Sequence, residues 1–584
     1  MTLAEQPPTL VQLQDKDLLS VQEARDLLSR AERAGELLSR FTQEQVDRVV
    51  DAMAEAARVQ AGWLAQLAVE ETGRGKVSDK TIKNLFSAVD IYGYMRDLKT
   101  CGVISENRER GVVEIAVPVG VVAAIVPTTN PTSTAIFKIL ASIKSRNPVV
   151  LSPHPQAVRC TAETARILYE AARRAGAPED CIGCLQNVNL QGTTELMRNR
   201  KSRMILATGG PDLVKAAYSS GKPAFGVGPG NVPAFIERTA NVTKAVRDVV
   251  AGKTFDHGLL CSSEQAIVCD LPLEEAVLLE LKKNRAQLLD EQEQARLEKV
   301  VQLPRGGLNP AIVGRSPQVI AEMAGFKVSD DVVCLVGRPG GVGREHPLSM
   351  EKLSPILAFY VEDGWEAGCQ RCIEILNYGG LGHTMSIHSS DQDIIMEFGL
   401  HKPAYRICVN TPATHGSVGL TTGVPPSMTL GCGTPGGNIT SDNITPLHLI
   451  NIKRLAYETR SVEEISFGGG ELPAPARKEP VAVVEKADQA HADAGLREIV
   501  RAVVGNYVRE QEAARHVARE PAPAGVAGQV PREQARAGPP RDFVCEDDVR
   551  EALRSGGKIV VGLRTIITPS ALDAAEGRKV FVWE

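Results

Sequence analysis

No apolar run in this chain reaches the roughly 18 residues that a membrane-spanning helix needs, so nothing in it reads as a bilayer span. The first residues, Met1-Thr2-Leu3-Ala4-Glu5-Gln6-Pro7-Pro8, carry neither a basic start nor an apolar stretch, and no secretory signal is expected. Cysteine is sparse. Twelve in 584 residues are too dilute for a disulfide scaffold, and a leaderless chain is expected to stay in a reducing, cytoplasmic compartment. Neither charge is in large excess, and a net charge of -5 gives no general attraction for nucleic acid or anionic membrane. The ten histidines show no His-Glu-x-x-His or similar ligand cluster. Two Cys-x-x-Cys pairs exist, Cys181/Cys184 and Cys369/Cys372. The second lies inside a helical pattern running on through Ile373 and Leu376, and no metal site is expected.

What remains is an ordinary globular composition, 43% hydrophobic and 23% charged, in a chain too long for one core. Residues 20–98 read as helices. Ser20-Val-Gln-Glu23 and Thr42-Gln-Glu-Gln45 have the form of capping boxes, each followed by apolar residues at three- and four-residue spacing. From about 110 the period changes. Val112-Val113-Glu114-Ile115-Ala116-Val117 alternates like a strand, and Val121-Val122-Ala123-Ala124-Ile125-Val126 reads as a buried strand ended by Pro127. Pro148-Val149-Val150-Leu151, a helix near 157–175, Met204-Ile205-Leu206-Ala207 and a helix from Pro211 follow, the pattern of a parallel sheet covered by helices. Similar alternation continues to roughly 466.

Composition then shifts to Pro, Ala, Gly and charge over 467–491 and 519–541, which read as linkers. Between them, Leu496, Ile499, Val500, Val503, Tyr507 and Val508 fall on one face of a helix at 493–511 that has no core of its own. The last segment, 542–584, reads as a small folded α/β piece: a helix near Asp547–Leu553, a strand Lys558-Ile-Val-Val561, a helix begun by Thr568-Pro569 and stopped by Gly577, and a strand Val580-Phe581-Val582.

One cysteine stands apart. Cys261 sits in Gly258-Leu259-Leu260-Cys261-Ser262-Ser263-Glu264-Gln265, after Thr254-Phe255-Asp256-His257. Small and apolar neighbours suit a nucleophile meeting an electrophilic carbon in a tight, partly dry site. The reactive form is the thiolate, so backbone dipoles or a cation are expected nearby to lower the thiol pKa. Taken alone, the motif reads rather as a buried structural cysteine.

Four stretches decide the matter: Val126-Pro-Thr-Thr-Asn130-Pro-Thr-Ser-Thr-Ala-Ile-Phe-Lys138, Ala207-Thr-Gly-Gly210, the Cys261 loop, and Glu351-Lys-Leu-Ser-Pro355. Together with Gly380-Leu-Gly-His383-Thr384, Asn410-Thr-Pro412 and His448-Leu-Ile-Asn451, they make the first ~466 residues resemble the aldehyde dehydrogenase superfamily, in its CoA-acylating branch. The likeness is to the N-terminal half of bifunctional aldehyde-alcohol dehydrogenases and to the acylating enzymes of bacterial microcompartments. It implies an α/β fold with a Rossmann-like NAD-binding domain (1–235, with part of an arm near 107–118) and a catalytic α/β domain (236–439). A return segment and small β oligomerisation arm (440–466), a linker (467–541) and the C-terminal segment (542–584) would complete the chain. A homodimer or homotetramer is implied, and no full alcohol dehydrogenase domain fits in the ~118 residues after 466.

The resemblance also assigns roles. Cys261 would attack the aldehyde, and the side-chain amide of Asn130 would stabilise the oxyanion beside the backbone N–H of the cysteine; losing such a donor typically costs about 3–4 kcal/mol. Read alone, Asn130 is a turn residue before Pro131. Thr128, Thr208, Gly209, Gly210 and Gly228 would border the dinucleotide, with small residues letting its phosphates approach a helix N-terminus. Glu351 would hydrogen-bond the nicotinamide ribose. Ser152 stands where the family often has a lysine at the adenosine ribose, which leaves NAD expected and NADP open. Gly226-Val-Gly228-Pro-Gly230-Asn lacks a third glycine and is a weak dinucleotide fingerprint. Hydrolytic members carry Glu-Leu-Gly-Gly at Phe225-Gly226-Val227-Gly228. Gly226 takes the place of the water-activating glutamate, so transfer of the acyl group to CoA is favoured over release of a free acid. His257 is either a proton-transfer aid or a packing residue. The expected reaction is oxidation of a short-chain aldehyde with CoA and NAD. The alternatives are a hydrolytic dehydrogenase and a cargo or assembly module with an inert enzyme domain. The 493–511 helix has the pattern of peptides that send enzymes to a microcompartment shell, and equally that of a helix packed on the enzyme's own body.

Overall fold

The computed structural model describes residues 15–462 and, within 541–583, all but 545, 568–570, 572–573 and 576–579. The expected helix at 493–511 therefore lies outside the described residues. The chain divides into two units, Met1–Ile465 and Ser466–Glu584.

The first unit begins with helices Lys16–Leu38, Gln43–Val59, Ala61–Thr72 and Val77–Leu85, the last running into a π-helical turn, Phe86–Ile91. Thr42 and Gln45 form the expected capping box. Ser20 does not. The first helix starts a turn earlier, where Asp15 accepts from the amides of Asp17 and Leu18, and Ser20 is buried inside it. Asp15 is itself a strong N-cap, and with the helix begun there Ser20 falls in its interior, where no free amides need a cap.

Behind these helices lies a five-stranded, all-parallel sheet in the order Ile182–Cys184, Val149–Pro153, Val121–Val126, Ser202–Thr208, Ala224–Val227. Every residue of Val121–Val126 is buried, as a strand covered on both faces requires. The chain leaves this strand toward one edge and returns to its other side through Ser202–Thr208. That reversal opens a crevice at the carboxyl ends of the strands, where α/β sheets bind ligands. Helix Pro131–Lys144, buried along its whole length, seals the sheet; its Lys138 ammonium donates to Ile125 O at 2.6 Å and Leu206 O at 2.9 Å, tying the two central strands together.

A second all-parallel sheet has seven strands, ordered Ala286–Leu288, Cys334–Gly337, Ile356–Glu362, Glu264–Asp270, Val232–Ile236, Gly382–His388, Ala404–Val409. A third, antiparallel sheet joins Gly102–Asn107, Val112–Pro118 and Ile450–Ala456, so residues 340 positions apart pair as Arg454 and Glu114. Among the described residues no helix is long and apolar enough to cross a membrane.

In the second unit, strands Arg541–Val544, Ile559–Ile567 and Phe581–Trp583 form a small parallel sheet with helix Glu546–Ser555 between the first two. The first of these strands reaches into the stretch read as linker. Asp542-Phe543-Val544 is too short to show a period in sequence and is ordered by pairing with Ile566 and Ile567.

Candidate active site

All eight residues singled out for the site, Thr128, Asn130, Thr208, Gly209, Gly210, Gly228, Cys261 and Glu351, line a single cavity of about 530 Å³. It lies where the carboxyl ends of the five-stranded sheet face the loop that precedes strand Glu264–Asp270 of the seven-stranded sheet. Residues more than two hundred positions apart thus share one wall.

One side of the cavity is built from strand ends. Thr128 follows Val121–Val126, and Thr208 closes Ser202–Thr208; both hydroxyls are buried without a hydrogen-bond partner among the described residues. Gly210 caps helix Pro211–Tyr218, and a side chain there would meet open space, so the helix start is bare. Orphaned hydroxyls and an uncovered helix N-terminus fit a phosphate-bearing ligand. Glu351 is the one carboxylate in the lining, which contains no Lys or Arg. Burial pushes it up to about 8, although the Gly230 amide donates to it at 3.1 Å.

Asn130 caps helix Pro131–Lys144 without using its side chain for the cap. Its amide nitrogen donates weakly, to Thr129 Oγ1 at 3.2 Å and Leu259 O at 3.4 Å, which sets it beside the cysteine loop. Cys261 is half-buried, and burial followed by the carboxylate of Glu351 pushes its thiol up to about 12. The expected lowering is thus not found. The nearest cation acting on it, Arg406, is committed to Gly431 O, Ser441 O and Asn443 Oδ1, and dehydration of the thiolate outweighs its field.

Asp256 and His257 do not line the cavity. Both have positive φ, 50° and 54°, and turn away into a buried cluster: Asp256 takes hydrogen bonds from the Lys76 amide (2.7 Å) and from the ammonium groups of Lys80 (2.9 Å) and Lys83. Gly75 must be glycine, since a Cβ there would lie 2.0 Å from Asp256 Oδ1. Burial, then Lys76, pushes His257 down to about 4.

Gly226 has ordinary backbone geometry, not the positive φ that would have excluded a side chain; what excludes one is packing, with Val214 Cγ1 2.6 Å and Tyr218 Cε2 2.9 Å from the Cβ position. The sequence reading also passed over His383. It is buried, its Nδ1 is 3.0 Å from Thr384 Oγ1, and its Nε2 has no partner among the described residues. Burial, then Arg406, pushes it down to about 3, so the ring is neutral. Its Cδ2 and the carbonyl of Cys261 both press on the bare Cα of Gly230, 3.4 Å and 2.0 Å from where a Cβ would stand. The Gly-Leu-Gly-His-Thr stretch was legible in sequence, but only the fold brings its histidine against the cysteine loop.

The sequence profile of the aldehyde dehydrogenase family matches residues 6–303. The bifunctional aldehyde-alcohol dehydrogenase of Escherichia coli is 43% identical over 466 residues, 78% of this chain and 52% of that protein. The chain thus spans about half the length of such curated relatives. The crystal structure of an acetylating aldehyde dehydrogenase from Geobacillus thermoglucosidasius is 52% identical, with a TM-score of 0.76 over 77% of this chain and 99% of that one. A propionaldehyde dehydrogenase from the fucose utilisation microcompartment of Clostridium phytofermentans is 26% identical, with a TM-score of 0.67 over 74% of this chain and 97% of that one.

Proposed function

The chain belongs to the aldehyde dehydrogenase family, and from that premise we propose that it oxidises a short-chain aldehyde to the CoA thioester, reversibly, through a thioester on Cys261. The observation that carries this reading is the convergence in one cavity of the Cys261 thiol, the Asn130 amide and the unpartnered Thr128 and Thr208 hydroxyls, with no glutamate at position 226.

The thiol enters as the protonated form and must lose its proton as it attacks. That proton passes to solvent: His383 is not in the cavity lining and, pushed down to about 3, is too weak a base to take it. As the sulfur adds to the carbonyl carbon, the oxygen gains charge, and the Asn130 amide with the Cys261 backbone N–H donates to it. Thr128, Thr208, Gly209, Gly210, Gly228 and Glu351 would hold a nicotinamide cofactor, which would supply the hydride acceptor. The acyl group left on Cys261 meets no side chain at position 226 that could activate water. A CoA thiol then attacks the thioester, and the cysteine leaves. The lining holds no Lys or Arg to neutralise the extra charge of a 2′-phosphate, which favours NAD over NADP.

Replacing Cys261 with Ala should abolish both aldehyde oxidation and acyl-CoA reduction while leaving NAD binding intact. NADH formation by wild-type enzyme should require CoA; equal rates without CoA, with free acid as product, would establish the hydrolytic reading instead. The similarity to a microcompartment enzyme supports a further reading, that segment 493–511, with its amphipathic pattern, docks a shell protein and that the enzyme works in a microcompartment lumen. Deleting 467–584 should then preserve catalysis and oligomeric state but release the enzyme from the shell; loss of either property assigns the tail to the enzyme itself.

A further inference from the structure

Asn130 can serve an oxyanion only if its amide nitrogen, and not its oxygen, faces the reacting carbonyl. A free carboxamide has no such preference, since the two ends are nearly the same size and shape. In this fold the choice is made from behind. The ammonium of Lys83, on helix Val77–Leu85, donates to Asn130 Oδ1, and the amide nitrogen is thereby left on the side of Leu259 and the cysteine loop. A flipped amide would set two donors against each other in a buried place.

Lys83 is not needed there for charge balance. Asp79 pairs with Lys76 at 2.6 Å, and Asp256 is neutralised by Lys80 at 2.9 Å and by the Lys76 amide at 2.7 Å. Lys83 adds a second ammonium to a carboxylate already served, and it is almost fully buried. Burial pushes it down to about 8, with Asp256 opposing that shift. A cation kept in a dry site beyond what pairing requires, with one bond to the anion and another to the amide, has a directional task. Lys80 stands beside it and holds the loop instead, donating to Thr129 O at 3.0 Å. The surplus charge also polarises the amide, which makes its N–H groups stronger donors.

From this arrangement we infer that Lys83 is a positioning residue for the oxyanion site, fixing the orientation of the Asn130 amide and strengthening it as a donor while never touching substrate. The inference rests on Asn130 being the oxyanion donor.

A double-mutant cycle tests it in the full-length enzyme, following NADH formation with propionaldehyde and CoA. Lys83→Met should lower kcat by about 10- to 100-fold, with the KM values for aldehyde and NAD within about twofold of wild type. In the Asn130→Ala background, the same Lys83→Met change should cost less than about threefold, because the group it acts through has gone. An equal loss in both backgrounds, or a Lys83→Met kcat within about twofold of wild type, overturns the inference. Asn130→Ala with a near-normal kcat would instead remove the oxyanion reading beneath it. If the Met variant does not fold, the cycle is read with Lys83→Ala, which removes the donor to Asn130 Oδ1 and leaves Lys80 on Asp256.

Discussion

Two buried lysine clusters flank the cavity, and they differ in how they treat their acids. Behind Asn130, Lys80 and Lys83 touch Asp256 directly. Against the cost of burial, these two cations hold the carboxyl below the ordinary carboxylate range. Behind Glu351, Lys253 donates to Gln265 Oε1 at 3.0 Å, and Lys352 donates to Leu348 O and Met350 O at 2.6 and 2.7 Å. Neither lysine pairs with a carboxylate there. Burial accordingly pushes Glu351 up to about 8, Glu264 up to about 7 and Lys253 down to about 8. The lesson is one of distance. A buried acid stays charged when an ammonium touches it and drifts toward neutrality when uncharged groups take the hydrogen bonds, whereas burial lowers the lysines of both clusters, Lys83 and Lys253, to about 8. The ionised cluster lies behind the group assigned to a developing anion, and the near-neutral one behind the carboxyl assigned to the cofactor.

The comparison breaks most sharply at Asp256. Asp256→Asn leaves two buried ammoniums facing an amide and should destabilise the protein by about 3–5 kcal/mol in denaturant unfolding, whereas Lys352→Met, which separates no ion pair, should change stability by less than about 1.5 kcal/mol. Equal losses for the two variants would falsify the distinction. Next in size is Asn130→Ala, which should lower kcat by roughly 10²–10³-fold with little effect on cofactor binding. A value within about twofold of wild type would place the oxyanion donor elsewhere.

The near-neutral cluster can be read by pH. Glu351 binds its proton more tightly in the folded state than in the unfolded chain, so its own contribution to stability should be lost as pH rises from the ordinary carboxylate range to about 8. The stability of wild type relative to Glu351→Gln should therefore fall across that window and level off above about pH 8, a difference in which the other buried groups cancel. Superimposable stability–pH curves for the two proteins would mean that Glu351 is not held neutral.

A smaller effect is expected at Gly226. Gly226→Ala should cost about 1–3 kcal/mol, because Val214 and Tyr218 must shift to admit even a methyl group. Gly226→Glu therefore tests partitioning between water and CoA only where the variant remains folded. The mildest probe is alkylation of Cys261. Its rate should rise about tenfold per pH unit from 7 to 10 with no plateau, since the thiol titrates near 12. A plateau near pH 8 would show a cation lowering the thiol that the arrangement around Arg406 does not supply.

Much of this was legible along the chain. Val121–Val126 is apolar throughout because it is covered on both faces, and its sequence shows that directly. Local chemistry was less reliable at helix starts, where Asp15 took the role assigned to Ser20. It failed for Asp256 and His257. Their nearness to Cys261 in sequence pointed toward the thiol, whereas positive φ at both positions turns them into the lysine cluster.

The sequence by itself determined the alternating α/β pattern and the residues gathered at strand ends, because hydrophobic period and small-residue turns are local properties of a chain. Only the tertiary structure decided which way Asn130 faces, that Lys83 stands behind it, that His383 reaches the cysteine loop, and that Cys261 and Glu351 are held as neutral acids. Those outcomes depend on burial and on contacts between strands and helices from two different sheets. Water removed from a charge, and a partner brought within reach of it, are facts of packing that no stretch of sequence carries alone.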